Sequence, residues 1–140
     1  MGVFSYVVFA NREDAQALLD GPSPLERFEG YGEKASDPGR WASLATLLGA
    51  EPDEAARIRN ATPLAEAEGS WVFEVPTELL ERVSRLDAAR IAKTGRAWAE
   101  ADIVMARGGG EYARNALSRL VSASRRALAE NKRILVLSEL

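Results

Sequence analysis

Residues Val3 to Ala10 constrain this chain more than any other stretch. Six of the eight are β-branched or aromatic, and both alternate faces are apolar, Val3, Val7 and Phe9 on one and Phe4, Tyr6 and Val8 on the other. A strand of that kind has no face to give to water and must be covered on both sides. Ile134 to Leu137, near the other end, is short and apolar on both faces in the same way. Two such strands bury themselves best side by side in the middle of a sheet, with helices over it.

The rest of the chain supplies those helices. Asn11 is placed to cap one that runs through Leu19, with Glu13 and Asp14 in the first turn, where carboxylates suit the positive end of the helix dipole. Asp37-Pro38 is a helix start, and Trp41, Leu44, Ala45 and Leu48 follow at i, i+3, i+4 and i+7 before Gly49 ends the pattern. Pro52 to Asn60 fits a further short helix. Trp71 to Val75 reads as a strand stopped by Pro76, after which Thr77 opens a helix with Leu79, Leu80, Val83 and Leu86 on one side. Asp87 caps the next, whose stripe of Ile91, Thr94, Trp98, Ala101 and Met105 runs on to Gly108-Gly109-Gly110. A last helix from about Glu111 to Asn131 buries Leu117, Leu120, Ser124, Ala127 and Leu128. The expectation is one α+β domain over residues 1–140: a small mixed sheet with the terminal strands central, covered by about five to six helices. The order and directions of the strands do not follow from the pattern.

Composition narrows the chemistry. At 140 residues with 46% apolar side chains, the chain can bury roughly two thirds of its unfolded surface around one core. It has no cysteine, which removes disulfides, thiolate nucleophiles and cysteine-held metal clusters. It has no histidine either, and so lacks the commonest general base and metal ligand. Only oxygen ligands are left, so tight zinc, nickel or copper binding is not expected, and no cofactor motif is present. The apolar start lacks a basic flank and a small-residue cleavage site, and no apolar run approaches the roughly 20 residues of a membrane span. A soluble, cytoplasmic protein with no membrane partner is expected.

The net charge of −3 is unevenly spread, with thirteen acidic against six basic side chains up to residue 76, and eight against twelve after it. Two packed halves that complement each other explain this better than a nucleic-acid surface, which is usually basic overall. Arg114 and Arg125 lie on one line of the last helix and Arg119 and Arg126 on another, interrupted by Ser118, Ser122 and Glu130. They face away from the apolar arc and read as a solvated side.

Chemistry-bearing candidates are few. The three glycines at 108–110 precede a helix, but no phosphate-loop spacing accompanies them, and a helix-to-helix turn is the better reading. Asp102 falls four residues after Trp98 at the edge of an apolar stripe, where a carboxylate either titrates high beside the indole or pairs with an arginine and caps backbone. The three tryptophans are spaced for packing. The segment Asp20 to Ser36 stands out: it is rich in glycine and proline, long for a connector, and still carries Leu25, Phe28 and Tyr31. With the start of the next helix it offers Phe28, Tyr31, Asp37 and Arg40 as a candidate interaction surface, tyrosine and arginine being common interface anchors.

The opening Met1-Gly2-Val3-Phe4-Ser5-Tyr6, the stretch Asp37 to Gly49 with Trp41 and Leu47-Leu48-Gly49, and the ending Ala127 to Leu137 together resemble the YfbM-like proteins and related bacterial families of this length. The resemblance implies an α+β fold in a cytosolic bacterial protein. It implies no reaction, ligand or catalytic residue. The residues therefore favour a non-enzymatic interaction module with a protein partner, such as an immunity or regulatory protein. The alternative is a small-molecule-binding protein, or an enzyme working through carboxylates, with its pocket between the 20–36 segment and the Trp41 helix.

Overall fold

The computed structural model describes residues 4–140. Val3 of the first expected strand, and Met1 to Val3 of the family resemblance, lie outside them. The elements run β1 (Phe4–Phe9), α1 (Ala15–Leu19), β2 (Gly30–Glu33), α2 (Pro38–Leu47), α3 (Pro52–Arg59), β3 (Ala65–Ala67), β4 (Ser70–Glu74), α4 (Thr77–Ser84), α5 (Ala88–Ala101), α6 (Ile103–Ala129) and β5 (Ile134–Glu139). The fold is α+β, as the pattern of strands and helices indicates.

The five strands form one sheet in the order β2-β1-β5-β4-β3. The two-faced terminal strands are adjacent and near its centre, with Val7 opposite Val136 and Val8 opposite Leu135. Every pairing is antiparallel, so the sheet is not mixed. Apolar alternation is the same in either direction and does not encode this. Both faces are covered. Tyr31, Val7, Val136 and Phe73 line up across one face and pack on the main core with Trp41, Leu79, Met105 and Leu117. Val8, Leu135, Leu137 and Val72 face the other way, onto Ala15 and Leu18.

Two strands and one helix boundary differ from the sequence reading. The 20–36 segment is not irregular throughout: it holds edge strand β2, which two glycines and one β-former would not suggest. Gly30 has a steric reason, since a Cβ there would lie 2.0 Å from the carbonyl oxygen of Val7. Strand β3 pairs with β4 across Glu68-Gly69, Gly69 having φ 77°, and its Ala-Glu-Ala sequence carries no strand signal. The long stripe through Met105 is broken at Asp102, which ends α5 and caps α6. The expected break at the glycines is present as well, with Gly109 at φ 85° inside α6. Asp37 and Asp87 cap α2 and α5 by accepting hydrogen bonds from the backbone N–H of Arg40 and Arg90.

The uneven charge is used inside the fold. Glu29, Glu33, Glu54 and Glu74 from the acidic half pair with Arg126, Arg119, Arg82 and Arg133 from the basic half.

Candidate functional site

The 25–31 segment, running from the turn after α1 into β2, and the second half of α6 stand apart as two walls of an open cleft of about 960 Å³. Phe9 at the end of β1 and Tyr31 on β2 contribute from the sheet, and Leu25 and Phe28 from the outer wall. The α6 wall carries Asn115, Ser118, Ser122 and Arg126, spaced three and four residues apart and so on one side of the helix. From Asn115 to Arg126 the helix rises about 16 Å, which sets the length of the cleft. The side chains of Asn115, Ser118 and Ser122 make no hydrogen bond among the described residues.

One end of the cleft is held by a buried carboxylate. Glu33, with 6% of its side chain exposed, accepts from Arg119 Nε at 2.9 Å, from a terminal Arg119 nitrogen at 2.9 Å and from the Tyr112 hydroxyl at 2.7 Å. This clamp ties the edge strand to α6. The hydrogen bond to Glu33 is the main cause raising the Arg119 guanidinium further above its ordinary value. Burial first, and then Glu33, push the phenols of Tyr31 and Tyr112 well above the usual tyrosine range, so both stay neutral. A neutral phenol in the cleft is a hydrogen-bond donor, not a base.

At the other end Arg126 lies over the Phe9 ring, 4.5 Å from its centroid, and reaches Glu29 on the opposite wall. Arg126 also pairs with Glu130 one turn on, at 2.9 Å. All three of these charged side chains are well exposed.

Of the four residues expected to form one surface, the cleft brings together Phe28 and Tyr31 and leaves out Asp37 and Arg40. Asp37 lines a separate depression of about 360 Å³ with Arg59, Trp71 and Phe73. Arg40 turns to Asp102, donating from Nε at 2.8 Å. The opposite wall is therefore α6, where the sequence pointed to the Trp41 helix. The serines and arginines of the last helix were legible as a polar line. What the sequence did not carry is that half of this line faces a wall of protein across a gap and not open water.

Asp102 belongs to a node outside the cleft. Its Oδ2 accepts from the Ser43 hydroxyl at 2.6 Å and from Arg40, while Oδ1 accepts from the backbone N–H groups of Val104 and Met105. Trp98 Nε1 in turn donates to Ser43 Oγ at 3.0 Å. Burial alone would push this carboxyl up, but Ser43, Arg40 and Met105 together outweigh it and hold the group below its ordinary value. Asp102 is thus ionised and fully occupied, pairing with an arginine and capping backbone. It is not a proton carrier. Among the described residues no three histidine, cysteine or acidic side chains are grouped to hold a metal ion, and no helix is long and apolar enough to cross a membrane.

No protein-family model, curated protein or solved structure matches the chain.

Proposed function

We propose that the chain is a non-enzymatic binding module whose cleft between residues 25–31 and α6 receives an extended segment of a protein partner. The observation that carries this reading is the shape and chemistry of the cleft together. It is open along its length, so a small molecule would keep much of its surface wet, whereas an extended chain is held at many points. About 16 Å is the span of some five residues in an extended strand. Phe9, Phe28 and Tyr31 offer apolar area, and Asn115, Ser118 and Ser122 offer hydrogen-bonding groups along one wall.

The volume of the cleft favours a second reading, a small-molecule ligand, because about 960 Å³ is near the upper end of ordinary ligand pockets. Both readings place the occupant between the same walls.

The test is capture from the native host on immobilised protein, with Phe28→Ala/Tyr31→Ala compared with wild type. The proposal expects a protein that the wild type retains and the folded double variant loses. A folded double variant that retains every wild-type partner contradicts it. Native mass spectrometry of the protein purified from its host separates the two readings, since a bound small molecule that the double variant lacks supports the second.

A further inference from the structure

The antiparallel register fixes where the backbone of the edge strand β2 points. The Phe9 N–H donates to the carbonyl of Glu29 at 2.9 Å, one step beyond the Val8–Gly30 pair. Bonded and non-bonded pairs alternate along an antiparallel ladder, so Val7–Tyr31 and Ser5–Glu33 are the bonded pairs. Gly30 and Gly32 therefore turn their N–H and C=O groups away from β1, toward a side on which β2 has no neighbouring strand. The far side of β1 is in phase with this, since Ala10 N–H donates to the Arg133 carbonyl and so Tyr6 and Val8 bond to β5. Among the described residues no loop or turn backbone bonds to Gly30 or Gly32, and both glycines are exposed.

Gly30 and Tyr31 line the cleft, which puts this open edge beside the docking groove. Two donors and two acceptors lie there along about 7 Å of backbone. Such an alternation of partial charges is matched point for point by the backbone of another strand. The glycines also leave their face of the edge bare, and the Phe4 ring reaches across to it: a Cβ on Gly32 would lie 2.7 Å from Phe4 Cζ. The other edge of the sheet is better guarded. Ala65 and Ala67 pair with Val72 and Ser70, so β3 turns only Glu66 outward, an exposed carboxylate with Pro63 shortly before it.

We infer that the docked segment adds to the outer edge of β2 as a further strand, its backbone bonded to Gly30 and Gly32 and its alternate side chains apolar, where they meet the Phe4 ring. This rests on the reading of the cleft as the docking groove. The side chains between them point to the other face of the sheet, the side on which Tyr31 packs and Ser118 and Ser122 stand.

The probe is a random-peptide library displayed on phage and selected on the immobilised protein, the selected peptide then being made synthetically. Gly32→Pro removes one outward N–H and leaves the bonds of Tyr31 and Glu33 to β1 in place. Gly32→Ala brings a Cβ against the same Phe4 ring, which is 44% exposed and has room to turn, but keeps the N–H. The peptide should bind Gly32→Ala within about twofold of wild type and Gly32→Pro at least about tenfold more weakly, the effect of a backbone hydrogen bond left unmade. Residue-resolved hydrogen exchange gives a second readout: the Gly30 and Gly32 amides should exchange fast in the free protein and about tenfold or more slowly in the complex, while Tyr31 and Glu33 are slow in both. That measurement uses the wild type, and it decides the matter even if Gly32→Pro does not fold. Exchange at the free rate for Gly30 and Gly32 in the complex, equal affinities of Gly32→Pro and Gly32→Ala, or a library that yields no binder overturns the added strand. A peptide lost by Phe28→Ala/Tyr31→Ala but kept by Gly32→Pro leaves the cleft reading standing without the strand, and the reverse pattern leaves the strand without the cleft.

Discussion

Removing the Asp102 carboxylate should cost more than any other single polar substitution outside the cleft, and the cost can be worked from its contacts. In Asp102→Ala, α6 loses its N-cap, worth about 1 kcal/mol, and Ser43 and Arg40 lose a charged acceptor, worth about 1.5–3 kcal/mol each when buried. The Arg40 side chain is 23% exposed and regains some hydration, which places the total near the lower part of that sum, about 4–5 kcal/mol. That is a large share of the roughly 5–15 kcal/mol available to an ordinary domain. Asp102→Asn keeps a good cap and loses only the charge, so about 1–3 kcal/mol is expected. Urea denaturation followed by tryptophan fluorescence measures both, since Trp98 adjoins the node. The pH dependence supplies the second check. The folded carboxyl titrates below its unfolded value of about 3.9, so its contribution is full above that pH and is lost as pH falls through the folded value. The gap between wild type and Asp102→Asn should be constant from pH 7 to about 5 and should narrow as the solution is made more acid than about pH 4. A cost under about 1 kcal/mol for Asp102→Ala, set against the range for breaking a buried pair, or a gap to Asp102→Asn that acid does not narrow, would refute the assignment.

Two further outcomes follow from the core and the clamp. Glu33→Gln puts an amide donor against the Arg119 guanidinium and should cost about 2–3 kcal/mol, discounted because Arg119 is 41% exposed; hydrogen exchange at the β2 amides should quicken more than at β4, and uniform change would speak against a clamp. Trp98→Ala empties a site that is 3% exposed and should cost about 3–5 kcal/mol, whereas a denaturation midpoint that barely moves would show that the indole carries little of the packing.

The legible parts of the fold are those where one side chain's chemistry decides its own surroundings. The two-faced apolar runs of β1 and β5 leave no choice but the centre of a sheet, and Asp37-Pro38 marks the start of α2 through its own cap. Strand β2 was hidden because Gly30 is there for the space it leaves beside Val7, a property of the neighbour and not of the glycine. The stripe through Trp98 and Met105 keeps helical spacing across Asp102, so periodicity alone runs two helices together; the aspartate that separates them is visible only once its contacts to Val104 and Met105 are seen. At the cleft, Phe28 and Tyr31 were readable as aromatic side chains on an over-long connector. Asn115, Ser118 and Ser122 look like any solvated line on a helix, and only the fold places the 25–31 wall across from them.

The central claim is that a partner lies between residues 25–31 and the second half of α6, and the most direct measurement is hydrogen–deuterium exchange of the protein free and saturated with a partner captured from its host. Amides of residues 25–31 should become protected when the partner binds. Those around Asp37, Pro63 and Trp71, which line the second depression, should exchange as they do in the free protein. Protection confined to that depression, with residues 25–31 exchanging at their free rate, would contradict the account.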